Sequence, residues 1–103
     1  EPTARSLIVI TPDVQIVHSR SSARPIEYAV TLRVLRGDLY RTIHLFDNAH
    51  GESEHHEHRY VGFEKQQPPS AVWRGPWQAA MATAIVKLKL DWVDILDDWR
   101  ERS

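Results

Sequence analysis

Residues 26–36, IEYAVTLRVLR, alternate in character. Ile26, Tyr28, Val30, Leu32 and Val34 share one parity, and Glu27, Ala29, Thr31, Arg33 and Leu35 the other. Side chains of a strand point alternately to opposite faces, so this period of two predicts a half-buried strand. Gly37-Asp38 follows, and glycine accepts the positive φ that a two-residue hairpin turn needs at its first position. LYRTIHLFD (39–47) is then the returning strand. Upstream, RSLIVI (5–10) is rich in β-branched residues and stops at the turn signal Thr11-Pro12-Asp13. VQIVH (14–18) gives another short strand, and SRSSARP (19–25) a polar loop. Downstream, residues 48–54 read as a loop and HHEHRYVGFE (55–64) as a further antiparallel strand. The alternative is that 48–59 is all loop and only RYVGFE is extended.

The period changes after a proline-punctuated connector, QQPPSAVWRGP (66–76). Gly75-Pro76 predicts a helix start with Pro76 at the first helical position, where its missing N–H costs nothing. From Trp77 to about Arg102, Met81, Ile85, Leu88, Trp92, Leu96 and Trp99 recur at steps of three and four and form one apolar stripe. A helix of about 25 residues spans roughly 37 Å. The fold class that follows is α+β: an antiparallel β-meander of about four to five strands covered by one long C-terminal helix, with residues 1–103 as a single domain. Trp92 and Trp99 are expected in the core. The acidic DWVDILDDW is expected to be the helix's solvated face, with a basic partner as the lesser alternative.

Apolar content of 42% and charged content of 26% describe an ordinary globular chain rather than a disordered one. No apolar run approaches the roughly 20 residues of a membrane span, and LIVI is shorter than a signal-peptide core. The chain begins with Glu1 rather than Met, which leaves open the removal of earlier residues. It has no cysteine, hence neither disulfides nor a thiolate metal site, and a cytoplasmic location is the default expectation. The net charge of −1 argues against tight, sequence-independent binding to long nucleic acid. A local basic face remains open, because Arg33, Arg36 and Arg41 lie mid-chain with Arg59 and Arg74 beyond.

The candidate chemistry lies in HGESEHHEHRY (50–60), which holds four of the six histidines. Imidazole titrates near neutral pH and is the commonest metal ligand. On a strand, His56 and His58 point one way, and His55 and Glu57 the other. His56 and His58 could therefore bind an ion together, with Asp47, His50 or His44 as a third ligand and an open position for substrate. Without a metal, the same two histidines could serve as general base and general acid. Arg41 or Arg59 would then stabilise negative charge, and Tyr60 would orient the substrate. That set suits attack of an RNA 2′-hydroxyl on its own phosphate. The structural alternative leaves the histidines inert on a loop or sheet edge. His18 and His44 are assigned to it, and Asp47-Asn48 can simply close a strand through side chain–backbone hydrogen bonds.

Residues 41–60, RTIHLFDNAHGESEHHEHRY, resemble the small bacterial TumE-like toxin family of toxin–antitoxin systems. Its aromatic-Asp-Asn-Ala/Pro-His step corresponds to Phe46-Asp47-Asn48-Ala49-His50, and its His-His-x-His step to His55-His56-Glu57-His58. The similarity covers about twenty residues; the hairpin before them and the C-terminal helix agree in outline. The tryptophans and the DWRERS end lie outside it. The resemblance implies a growth-inhibiting protein acting on RNA or translation, with a helix-turn-helix antitoxin as partner. It nominates Asp47, Asn48, His50, His55, His56 and His58 as catalytic residues. The near-neutral charge departs from the basic character of ribosome-dependent toxins.

Three readings follow. A ribonuclease with no cofactor predicts a pocket flanked by Arg41, Arg59 or Arg74 and activity that survives a chelator. A metal-binding protein or metal-dependent hydrolase, using zinc or manganese on Asp47, His50, His56 and His58, predicts at least three of the nominated residues converging on one point. A non-enzymatic interaction module predicts splayed histidines and an exposed apolar strip on the helix. No membrane partner is expected, and a homodimer is compatible with all three.

Overall fold

The alternation at residues 28–35 builds the centre of a sheet. In the computed structural model, which describes residues 3–103, every second side chain from Tyr28 to Val34 is buried. The strands are β1 (Thr3–Thr11), β2 (Val14–Ser21), β3 (Tyr28–Arg36), β4 (Leu39–Asp47), β5 (Glu54–Val61), β6 (Glu64–Lys65) and β7 (Ala71–Arg74), followed by one helix, α1 (Trp77–Arg102). β1 to β5 form an antiparallel meander in chain order. The outer edge of β5 is shared: β7 pairs with residues 54–57, and the two-residue β6 with Tyr60 and Val61. The architecture is the expected α+β meander with one covering helix, with more strands than the four to five predicted.

The additions have local causes. β2 runs on through the polar Ser19–Ser21 because the backbone of Tyr28–Val30 completes its ladder; pairing overrides weak strand propensity. β7 is a good strand sequence, AVWR, hidden between prolines. At the helix start Pro76 is the N-cap, in extended conformation, rather than the first helical residue. Gly37 takes φ +64, as the turn between β3 and β4 requires.

The helix covers one face of the sheet. Ile16, Val30, Leu32, Ile43 and Phe46 meet Ala84, Leu88, Leu96 and Trp99 there. Met81 is buried too, while Ile85 and Trp92 are half-buried beside the cluster. Trp99 Nε1 also donates to the Gly62 carbonyl at 2.7 Å, fixing the end of α1 on the β5–β6 turn.

One irregularity decides where the chemistry lies. Between β3 and β4, Leu32 pairs with His44 and Arg33 with Thr42, so Ile43 is an extra residue in β4. Such a bulge inverts the parity of everything beyond it. Arg41 pairs with Val34, whose side chain faces the helix, whereas Asp47 pairs with Ala29 on the opposite face. Two residues of like parity are thereby sent to opposite sides of the sheet.

Candidate metal centre

The face turned away from α1 carries a row of register partners. Arg5 pairs with Ser19, Ser19 with Ala29, Ala29 with Asp47, and Asp47 with His56. His58 stands two residues beyond His56 on this face. One ligand atom each from Asp47, His56 and His58 lie within 4.8 Å of one another, with both histidines buried and Asp47 half-buried. Bonds of about 2.0–2.2 Å in tetrahedral geometry would bring such atoms to about 3.4 Å, a small side-chain rotation away.

The tautomers are set from behind. His56 Nε2 lies 2.9 Å from Glu54 Oε2. The His56 hydrogen bond holds the Glu54 carboxyl below the ordinary glutamate range, so this carboxylate accepts and His56 Nε2 carries the proton. His58 Nδ1 lies 3.1 Å from the Gln66 carbonyl, which can only accept. The unshared lone pairs are therefore His56 Nδ1 and His58 Nε2. His56 Nδ1 and Asp47 Oδ1 are both buried with no hydrogen-bond partner. Buried polar atoms are rarely left alone. Histidines braced through their outer nitrogen, with the inner lone pair free, have the second-shell arrangement of metal ligands. The donor set therefore fits a divalent ion, and its two-histidine, one-carboxylate composition suits zinc or an octahedral metal such as manganese.

The other nominated residues divide by face. His50 is exposed in the loop after β4, with its ring 4.8 Å from that of His56, and borders the centre. Tyr60 shares the face; burial, helped by the charge of Asp47, raises its phenol pKa and keeps it protonated. Arg74 is exposed and held by Glu54 at 3.1 Å, at the edge of the centre. His55 lies on the opposite face, fully buried. Its Nε2–H donates to the Gly75 carbonyl and its Nδ1 accepts from the Tyr28 hydroxyl, each at 2.8 Å, so it joins β3, β5 and the helix entrance. Asn48 is buried and pins the loop: Oδ1 accepts from Tyr28 N–H, and Nδ2 donates to the carbonyls of Ile26 and Glu52. Arg41 and Arg59, expected to flank the pocket, are on the helix side instead. Arg41 lies over the Phe63 ring at 4.0 Å, and Arg59 lines a crevice with Asp91, Asp94 and Asp98.

Sequence reasoning missed Glu54 and the Gln66 carbonyl. Glu54 was legible, since Glu-x-His on a strand shares a face; a backbone carbonyl leaves no signal in side-chain identity. Beyond Asp47 an open trough crosses the same face. It is lined by Ser19, Ser21, Ala29 and Ala49 near the centre, with Arg20 and Glu27 beside them, and by Arg5, Thr31, Arg33 and Thr42 at its far end.

The helix side holds a separate ionic cluster. Glu57 accepts from His44 Nε2 at 2.7 Å and from Lys87 Nζ at 3.2 Å. The His44 hydrogen bond, with Lys87 adding to it, holds the Glu57 carboxyl below its usual range against the opposing effect of burial. In the unfolded chain this group takes up its proton at a higher pH, near about 4.3, than in the folded one. Its contribution to stability is therefore complete above that value and lost as pH falls through the lower folded pKa. Urea denaturation between pH 7 and 3 should show a weaker acid-induced loss of stability for Glu57→Gln than for the wild type.

Compared with models of protein families, with curated proteins and with solved structures, the chain has no match in any of the three. Among the described residues, no helix is long and apolar enough to cross a membrane.

Proposed function

We propose that this chain is a metal-dependent hydrolase whose ion is held by Asp47, His56 and His58, and that its substrate is RNA. The observation that carries the reading is the convergence of those three side chains, with both histidines braced by Glu54 and the Gln66 carbonyl and with two buried ligand atoms unpartnered. A bound zinc or manganese ion would supply Lewis-acid stabilisation of charge developing on a substrate oxygen. The protein's own groups do the rest. Glu54 keeps the His56 ring fixed, and Tyr60, protonated beside Asp47, offers a hydroxyl to a substrate oxygen. His50, exposed and next to His56, can take up or return a proton at the rim. The trough provides a path for an extended anionic chain, with hydroxyls along it and Arg5 and Arg33 at its far end. The resemblance to toxins favours RNA as substrate, a helix-turn-helix antitoxin as partner and growth arrest as phenotype.

Metal-free histidine catalysis is less favoured because Arg41 and Arg59 do not border the centre and Arg74, which does, is already paired with Glu54. Induced expression in a bacterial host, followed by assay of the purified chain on RNA, tests the choice. Arrest by the wild type but not by a folded Asp47→Asn variant, with cleavage lost in chelator and restored by zinc or manganese, is the expected result. Cleavage that persists in chelator would replace it with acid–base chemistry by the same histidines. No cleavage and no arrest would remove RNA as the substrate.

A further inference from the structure

The outward face of α1 carries an apolar line that nothing in the fold covers. Val86, Leu90 and Val93 are 53%, 77% and 47% exposed at steps of four and three, and the small, exposed Ala79, Ala82 and Thr83 continue the line toward the N-terminus. A contiguous exposed apolar strip on a folded domain marks an interaction surface. Its charges indicate the occupant. The first half of α1, residues 77–90, carries only Lys87 and Lys89. The second, residues 91–102, carries Asp91, Asp94, Asp97, Asp98 and Glu101 against Arg100 and Arg102. A helix with a positive first half and a negative second half complements itself when antiparallel.

We propose that this strip is the interface of an isologous dimer, in which α1 packs antiparallel against α1 of a second copy with Leu90 on the two-fold axis. The register follows from the residues. With Leu90 opposite the partner's Leu90, Val86 falls beside the partner's Val93, and the apolar positions match themselves. In a two-fold pair, like flanks of the two helices meet. Lys87 and Asp94 lie on the same flank, about two turns apart at 3.6 residues per turn. Lys87 therefore meets the partner's Asp94, and the contact occurs twice. Lys87 already donates to Glu57, and an ammonium has further donors to give. Thr83 faces the partner's Asp97, and Ala79 the partner's last turn, where Glu101 lies between Arg100 and Arg102. The surface is narrow, so the dimer is a weak one. The sheet face bearing Asp47, His56 and His58 stays open in it, so the dimer stands or falls independently of the metal reading.

Sedimentation of the full chain over a concentration series tests this directly. The wild type should pass from monomer to dimer, with the transition moving to higher concentration as salt is added. Leu90→Glu should weaken association at least tenfold, and Asp94→Lys several-fold, while circular dichroism and thermal melting remain those of the wild type because both sites are exposed. A wild type that stays monomeric up to about 1 mM, leaving the strip to a different protein, would overturn the proposal. A dimer that survives Leu90→Glu would do the same by placing the interface elsewhere.

Discussion

Asn48→Ala is expected to lower stability by about 3 kcal/mol, because it strips partners from two buried backbone groups and one part-buried group at once. That should appear as a fall in melting temperature of roughly 10–20 °C. The amide orientation is fixed by what surrounds it: the Tyr28 N–H needs an acceptor, and the carbonyls of Ile26 and Glu52 need donors. Asparagine supplies both, which aspartate cannot do. Asn48→Asp should therefore be at least as damaging as the alanine change, since it presents an oxygen to two carbonyl oxygens. Thermal melting of the two variants checks this, and an Asp variant as stable as the wild type would contradict the role. The loop so pinned begins directly after Asp47, so the geometry of the candidate metal centre depends on it.

The second large effect concerns binding. Asp47→Asn and His58→Ala should each reduce affinity for zinc at least a hundredfold, and Glu54→Gln, which loosens His56, by about 10–100-fold. Asp47→Asn should leave the metal-free protein no less stable than the wild type. Asp47 Oδ1 is buried without a partner, so the metal-free fold draws no hydrogen bond from that oxygen. Melting curves with and without zinc separate these statements: zinc raises the wild-type transition, by about 2.7 kcal/mol at a hundredfold excess over Kd. It should leave the Asp47→Asn transition in place. A metal-free Asp47→Asn protein that melts well below the wild type would mean that the carboxylate is a structural group.

The alternation in residues 26–36 and the three-four spacing in α1 were legible because each pattern records burial against a single neighbour, and in both cases that neighbour is the other element. β7 was hidden because four residues between prolines carry too little periodicity to stand out from a loop. The opposition of His55 to His56 and His58 was readable from parity alone, and it separates a core histidine from two candidate ligands despite their adjacency in the sequence. Arg41 could not be placed in the same way. The extra residue at Ile43 inverts parity within β4, and an apolar residue in an apolar-rich strand gives no sign of a bulge. Arg59 was misassigned for a simpler reason: its parity is that of His55 and Glu57, so it belongs with the helix-side groups.

Calorimetric titration of the metal-stripped full chain with zinc, and separately with manganese, decides whether Asp47, His56 and His58 hold an ion. The predicted result is one ion per chain for at least one of the two metals, with binding lost in Asp47→Asn and in His58→Ala but retained in His55→Gln if that variant folds. No binding of either metal by the wild type, or binding undiminished by Asp47→Asn and His58→Ala, would contradict the metal centre and leave the buried cluster without its proposed role.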